Sequence, residues 1–204
     1  MITVLAGVNG AGKSSVLGTA IRNAGGEYFN PDEATQNFLK ENPSMTLGDA
    51  NSAAWKMGFI LLSAAVDNDT DFIFETTLGG NSVFRELMRA GELGREVRIL
   101  FCGLESVELH LARVAARVKA GGHDIPEEKI RERYVNSIAN VRDLLPLCAE
   151  VRVFDNSAPI SNGRPSAYCV LHIKAGVLIQ SPSPDIPEWS KPIAVAAIKA
   201  VRKR

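Results

Sequence analysis

Short apolar runs alternate along this chain with longer stretches of helical periodicity. Ile2 to Val8 is almost continuously apolar and ends in glycine, the pattern of a parallel strand buried on both faces. The helix that follows Lys13 stops at Ala24-Gly25-Gly26, a double-glycine terminus. Glu27 to Asn30 reads as a brief second strand. After it, Asn30-Pro31-Asp32-Glu33 offers an N-cap, a first-turn proline and a capping-box acid for a helix toward Lys40. Beyond a break at Asn42-Pro43-Ser44, Thr46 and Asp49 cap a long helix. Its apolar side is Ala50, Ala53, Ala54, Met57, Ile60, Leu61, Ala64 and Ala65; Trp55 and Met57 are expected to pack, with substrate binding as the alternative that nothing in the sequence selects. Asp71 to Phe74 is the next strand, ending in Glu75-Thr76-Thr77. Asn81 or Ser82 caps a helix to Glu92, and Glu96 to Gly103 is a further strand.

From Ser106 a helix turns Val107, Leu111, Val114, Ala115 and Val118 to the core, with His110, Arg113 and Arg117 on another face. A Gly-rich passage, Lys119 to Ile125, interrupts it, and Pro126 opens a helix that buries Ile130, Tyr134, Ile138, Val141 and Leu145 while leaving Arg131 and Arg133 off the stripe. Two helices joined by glycines and carrying arginines form a lid candidate at about 113–133. Val151 to Phe154 is a strand, Tyr168 to Lys174 and Val177 to Gln180 a hairpin, and Ile193 to Val201 a final helix. Strands alternating with helices predict an α/β fold, a parallel sheet flanked by helices. One domain is expected over residues 1–204, with the hairpin and helix at about 166–204 as an appendage.

Composition narrows the classes of partner. Lys plus Arg equals 23 and Asp plus Glu equals 23, so no net field draws nucleic acid or an anionic membrane. Cys102, Cys148 and Cys169 show no paired spacing, and an odd count suits a reducing compartment. The longest apolar run, Phe59 to Val66, is too short to span a bilayer, and the N-terminus lacks a basic leader pattern, so a cytoplasmic protein is expected.

Gly7-Val8-Asn9-Gly10-Ala11-Gly12-Lys13-Ser14 has the G-x-x-x-x-G-K-[ST] spacing between a strand and a helix, the context of a P-loop. Small residues let successive backbone N–H groups turn around a phosphate, and the helix N-terminus adds its partial positive charge. Gly7, Asn9, Gly10, Ala11, Gly12, Lys13, Ser14 and Ser15 are the expected contacts to a nucleoside triphosphate, Lys13 to its β/γ-phosphates and Ser14 to Mg²⁺. Transfer to a hydroxyl further needs a carboxylate near the acceptor and cations over the migrating group. Asp32, at a strand-to-helix junction, is the first candidate for that carboxylate; as a helix N-terminal acid it also stabilises its own helix, and both readings stand. Glu75 ends an apolar strand, where burial favours contact with a ligand or Mg²⁺, while Thr76 and Thr77 contact substrate or form a turn. Arg117, beside the glycines, is the preferred lid cation. Such a cation contributes about 10³ to 10⁵ in rate, and a solvated face accounts for others among Arg113, Arg131 and Arg133.

Taken together, the P-loop, Asn30-Pro31-Asp32, the strand ending in Glu75-Thr76-Thr77, the Arg117 helix, Gly-Gly-His-Asp-Ile-Pro and Asp155-Asn156-Ser157 resemble the zeta toxin family of P-loop kinases over residues 1–157. The resemblance implies an adenylate-kinase-like sheet, ATP and Mg²⁺, and transfer to the 3′-hydroxyl of UDP-N-acetylglucosamine under an antitoxin's control. By it, Lys13 and Ser14 hold triphosphate and metal, Asp32 is the base, Glu75 and Thr77 contact the sugar nucleotide, Arg117 acts on the phosphates and Asn156 lies near adenine. His123 stands where the toxins have a second lid arginine, so Arg131 or Arg133 supplies that charge, or catalysis is weaker. The form of Asn30-Pro31-Asp32 also departs from the better-known toxins, as in a chromosomal branch. Another phosphoryl acceptor (a nucleoside, an antibiotic or a sugar) and a non-catalytic, nucleotide-gated interaction protein are the alternatives.

Overall fold

Every residue of β1 (Ile2–Ala6) is buried, as befits a strand with neighbours on both sides and cover on both faces. The computed structural model describes residues 1–122, 124–159 and 166–202. In it β1 pairs in parallel with β2 (Phe72–Thr76) and β3 (Val97–Gly103), so that Val4 stands between Phe74 and Ile99. β4 (Glu150–Asp155) adds in parallel to β3, and β5 (Tyr168–Lys174) and β6 (Val177–Gln180) extend the sheet antiparallel. The order β2-β1-β3-β4-β5-β6 makes a mixed six-stranded sheet among the described residues. Its parallel part is the expected one, and the hairpin is not a separate ornament but its continuation.

Helix α1 begins as a π-wound turn, Lys13–Gly18, and continues as Thr19–Asn23. It covers one sheet face, where Leu17 packs with Leu5, Ala11 and Cys102. The larger core lies on the other face. There Ile2, Val4, Phe101 and Val153 meet α3 (Leu47–Asn68), α4 (Asn81–Glu92), α6 (Glu127–Leu144) and α7 (Lys191–Arg202) through Leu62, Leu87, Val141 and Ile193. α2 (Pro31–Glu41) and α5 (Val107–Lys119) complete the set.

Local signals placed most of these boundaries. The Asn30 side chain accepts from the Asp32 N–H at 2.9 Å, that of Thr46 from the Asp49 N–H at 3.1 Å, and that of Ser106 from the Leu109 N–H at 3.2 Å. Three expectations need correction. Glu27 to Asn30 forms a single parallel bridge, Phe29 against Phe74, because Asn30 turns at once into the cap of α2. Gly80, with no side-chain bond, precedes α4 in place of a capping Asn81 or Ser82. On α3 the buried side is Ala50, Ala54, Gly58, Leu62, Ala65 and Val66, while Trp55, Met57, Ile60 and Leu61 are exposed. Gly58 lets the helix settle onto Phe29, since a Cβ there would lie 2.6 Å from the Phe29 ring, and this contact sets the rotation of α3.

Candidate active site

The loop between β1 and α1 is built by close approach. Gly7 has φ +144°, and a Cβ there would stand 2.1 Å from the Cys102 carbonyl oxygen; Gly12 has φ +93°, and its Cβ would meet Asn156 Nδ2 at 2.4 Å. The loop is braced from the neighbouring strands. The Ala11 carbonyl accepts from Asn156 Nδ2 at 2.9 Å and from Cys102 Sγ at 3.1 Å, the latter a thiol that burial pushes up to about 12. Lys13 is buried, with Nζ 3.5 Å from the Val8 carbonyl and 3.5 Å from Glu75 Oε1. Ser14 Oγ donates to Glu75 Oε2 at 2.8 Å. Lys13, Ser14 and Glu75 therefore form one compact cluster at the carboxyl ends of β1 and β2, where open α/β sheets hold ligands.

Glu75 thus stands beside the P-loop. A hydroxyl beside a buried carboxylate is a set of hard oxygens suited to Mg²⁺, an ion that takes few protein ligands and shares the rest of its shell with phosphate and water. Among the described residues no group of three or more His, Cys, Asp or Glu side chains is arranged to hold a metal by itself.

Asn9 joins the loop to both lid helices. His110 Nδ1, on α5, lies 2.8 Å from the Asn9 carbonyl, and Arg133 Nη1, on α6, donates to Asn9 Oδ1 at 2.8 Å. The His110 ring is fully buried, and burial drives its pKa down to about 4, so the imidazole is neutral and must donate from Nδ1 to that carbonyl. Burial also lowers the pKa of Arg133, although a guanidinium keeps its charge. Arg113 donates to the carbonyl of Asn156 at 2.8 Å and fixes the loop after β4. Arg117 faces Asp32 across the cleft, Nη1 to Oδ2 3.9 Å. Asp32 is exposed and Arg117 half-buried, so solvent screens the pair.

Arg131, a candidate substrate contact from sequence, is turned outward, where Glu127 and Glu108 hold it at 2.8 and 3.2 Å. Two positions along a helix are about 200° apart, so Arg131 and Arg133 cannot share a face. His123 lies outside the described residues. Thr76 and Thr77 line the cleft, and each hydroxyl also accepts from a backbone N–H of the following turn, Leu78 at 3.1 Å and Gly79 at 3.5 Å. Asp155 is a brace. It accepts from the N–H and hydroxyl of Ser157 at 3.0 and 2.8 Å and from Trp189 Nε1 at 2.8 Å.

These groups line a cleft of about 1030 Å³. The P-loop residues Asn9, Gly10, Gly12, Lys13, Ser14 and Ser15 line it with Glu75, Asn156, Asp32, Thr76 and Thr77, together with the aromatic residues Phe29, Trp55, Phe59 and Phe74 and the arginines of α5 and α6, Arg113, Arg117 and Arg133. The sequence did not select Arg133 over Arg131, His110 as a buried tie, or the cleft over core packing for Trp55.

Comparison with known proteins gives concordant results. The sequence model of the zeta toxin family matches residues 1–161. An uncharacterized protein of Haemophilus influenzae is 35% identical over 128 residues, 63% of this chain and 88% of that one. The crystal structure of AvrRxo1-ORF1:-ORF2 with ATP is similar over 98% of this chain and 76% of that one, with TM-score 0.65 and 16% identity. A structure from the PezAT chromosomal toxin-antitoxin system of Streptococcus pneumoniae is similar over 100% of this chain and 86% of that one, with TM-score 0.57 and 17% identity. At these identities the structural likeness concerns the fold.

Proposed function

This chain belongs to the zeta toxin family, and on that premise we propose that it is an ATP-dependent phosphotransferase acting on a hydroxyl of a small molecule. The observation that carries the reading is one cleft whose lining brings together the Lys13–Ser14–Glu75 cluster, Asp32, and Arg113, Arg117 and Arg133. Backbone N–H groups of the loop and Lys13 hold the β/γ-phosphates, with Asn156 beside the adenine. Ser14 and Glu75 would be the protein ligands for Mg²⁺, which would supply neutralisation of the phosphate charge.

The acceptor hydroxyl gives its proton to Asp32 as its oxygen bonds to the γ-phosphorus; the bond from that phosphorus to the β–γ bridging oxygen breaks, and ADP leaves with the electron pair. Arg117, released from Asp32, and Arg133 meet the charge spread over the transferring group. Such cations contribute about 10³ to 10⁵ in rate, roughly 4 to 7 kcal/mol.

The leading acceptor is a UDP-amino sugar, in keeping with the family resemblance. The proposal extends to a single kinase domain over residues 1–204 with its lid at about 113–133, to a cytoplasmic site of action, and to a protein antitoxin as partner. The PezAT likeness supports that partner, and among the described residues no helix is long and apolar enough to cross a membrane. The test is incubation with Mg-ATP and candidate acceptors, followed by mass analysis. A product heavier by one phosphoryl group is expected, and Asp32→Asn should abolish it while ATP still binds. Hydrolysis of ATP with no phosphorylated acceptor would refute the kinase reading.

A further inference from the structure

One row of side chains along α6 is polar yet turned inward. Arg133, Asn136 and Asn140 follow each other at i, i+3 and i+7, the spacing that aligns three residues on one face of a helix. All three are half-buried. Arg133 ends on Asn9 of the P-loop. Asn136 Nδ2 donates to the Gly79 carbonyl at 3.4 Å, and Asn140 Nδ2 to the Leu78 carbonyl at 2.8 Å. These carbonyls belong to the loop after β2. Among the described residues the cleft is lined by Thr76, Thr77, Gly79 and Gly80 of that loop, but not by Asn136 or Asn140. The loop lies directly on the helix, since a Cβ at Gly79 would stand 2.9 Å from the Arg133 Cα.

Leu78 shows what the row does. It has φ +53°, in the left-handed region that a residue other than glycine occupies at a cost, and its side chain is fully buried. Such a conformation persists only where its surroundings fix it. Here the Leu78 N–H donates to the Thr76 hydroxyl at 3.1 Å and the Leu78 carbonyl accepts from Asn140, so the residue is held once by its own loop and once by α6. The same peptide carries the Gly79 N–H, which donates to the Thr77 hydroxyl at 3.5 Å. A carbonyl deprived of its donor favours any rearrangement that returns it to a partner, and turning this peptide also takes the N–H away from Thr77. We propose that Asn140 is a positioning residue: through the Leu78–Gly79 peptide it sets Thr76 and Thr77 for the acceptor, and through the row it shares with Arg133 it keeps that loop in register with the P-loop. This rests on the kinase reading for the role of the two threonines.

The test uses the full chain as parent, Asn140→Ala, Asn140→Asp and Asn140→Gln. Amide hydrogen exchange is read over residues 76–80 and over 7–15, and steady-state kinetics is run with Mg-ATP and the acceptor that the parent phosphorylates. Asn140→Asp keeps the shape of the side chain but, ionised, has no donor, whereas Asn140→Gln keeps the amide. In Asn140→Ala and Asn140→Asp exchange over 76–80 should be roughly 5- to 150-fold faster, the range for a buried acceptor left without its donor, with 7–15 unchanged. Their kcat/KM for the acceptor should fall by about five-fold or more while the KM for ATP stays within about two-fold, and Asn140→Gln should remain within a few-fold of the parent in both readouts. Unchanged exchange over 76–80 in Asn140→Ala, equal losses for ATP and acceptor, or Asn140→Asp matching the parent while Asn140→Gln fails would overturn the proposal. The two readings fail separately. A parent that binds ATP and transfers to no acceptor removes the kinase, and the exchange contrast alone then decides the hold of Asn140 on the loop; transfer with unaltered acceptor constants in Asn140→Ala removes the positioning role and keeps the kinase.

Discussion

Replacing Glu75 by glutamine tests whether the buried cluster stands in for the phosphate before nucleotide arrives. The side chains of Lys13 and Glu75 are 8% and 9% exposed and 3.5 Å apart, so solvent screens the pair little. Glu75→Gln keeps an acceptor for the Ser14 hydroxyl, held at 2.8 Å in the parent, and removes only the charge. Lys13 is then a buried cation with carbonyl oxygens alone around it. Breaking a buried pair in this way costs about 3 to 5 kcal/mol. For a chain of this size each kcal/mol moves the melting point by about 2 to 4 °C, so the free variant should melt roughly 6 to 20 °C below the parent. Saturating metal-free ATP restores negative charge to Lys13, and the gap should narrow by at least a third. The assay is a pair of thermal scans, with and without ATP in EDTA. A free variant melting within about 2 °C of the parent, or a gap unaffected by ATP, would refute the reasoning.

Two further outcomes are expected. His110 is neutral in the fold with its pKa lowered to about 4, whereas the unfolded chain protonates near 6.5. Between those values the unfolded state binds more protons, so stability is complete above pH 6.5 and is lost as pH falls toward 4. The loss from this residue between pH 6.5 and pH 5 is about 1.5 kcal/mol, read as the change in urea midpoints, and His110→Gln should abolish that part of the slope. On α6, Arg133→Ala should lower kcat/KM by about 10³-fold or more, the contribution of a cation on the transferring group, and Arg131→Ala should leave it within about two-fold. Steady-state kinetics decides between them, and equal effects would contradict the placement of these side chains.

What could be read from the chain and what could not divides along a physical line. The P-loop, the caps at Asn30, Thr46 and Ser106 and the apolar run of β1 are specified within a few residues, and each lies where its pattern put it. Helix rotation is not local. Trp55 faces the cleft because Gly58 lets α3 settle on Phe29, and Arg133 rather than Arg131 faces Asn9 because α6 packs through Ile130, Ser137 and Val141. The hydroxyl of a capping residue reaches its partner in any tertiary setting, whereas the aim of a lid arginine depends on where the neighbouring helix stops. His110 illustrates the limit: periodicity groups it with Arg113 and Arg117, yet it is fully buried because the Asn9 carbonyl offers it a partner 101 residues away.

The tie between Trp189 and Asp155 couples the C-terminal segment to the P-loop. The family match ends at residue 161, but the indole 28 positions later lies over Gly103, packs tilted at 46° against Phe101 with ring centroids 5.9 Å apart, and donates to the carboxylate next to Asn156. Asn156 in turn grips the P-loop through Ala11. The P-loop therefore leans on a segment beyond the residues that the family model matches, and removing the stretch that carries Trp189 would take away the donor over Asp155 and loosen the seat of the loop.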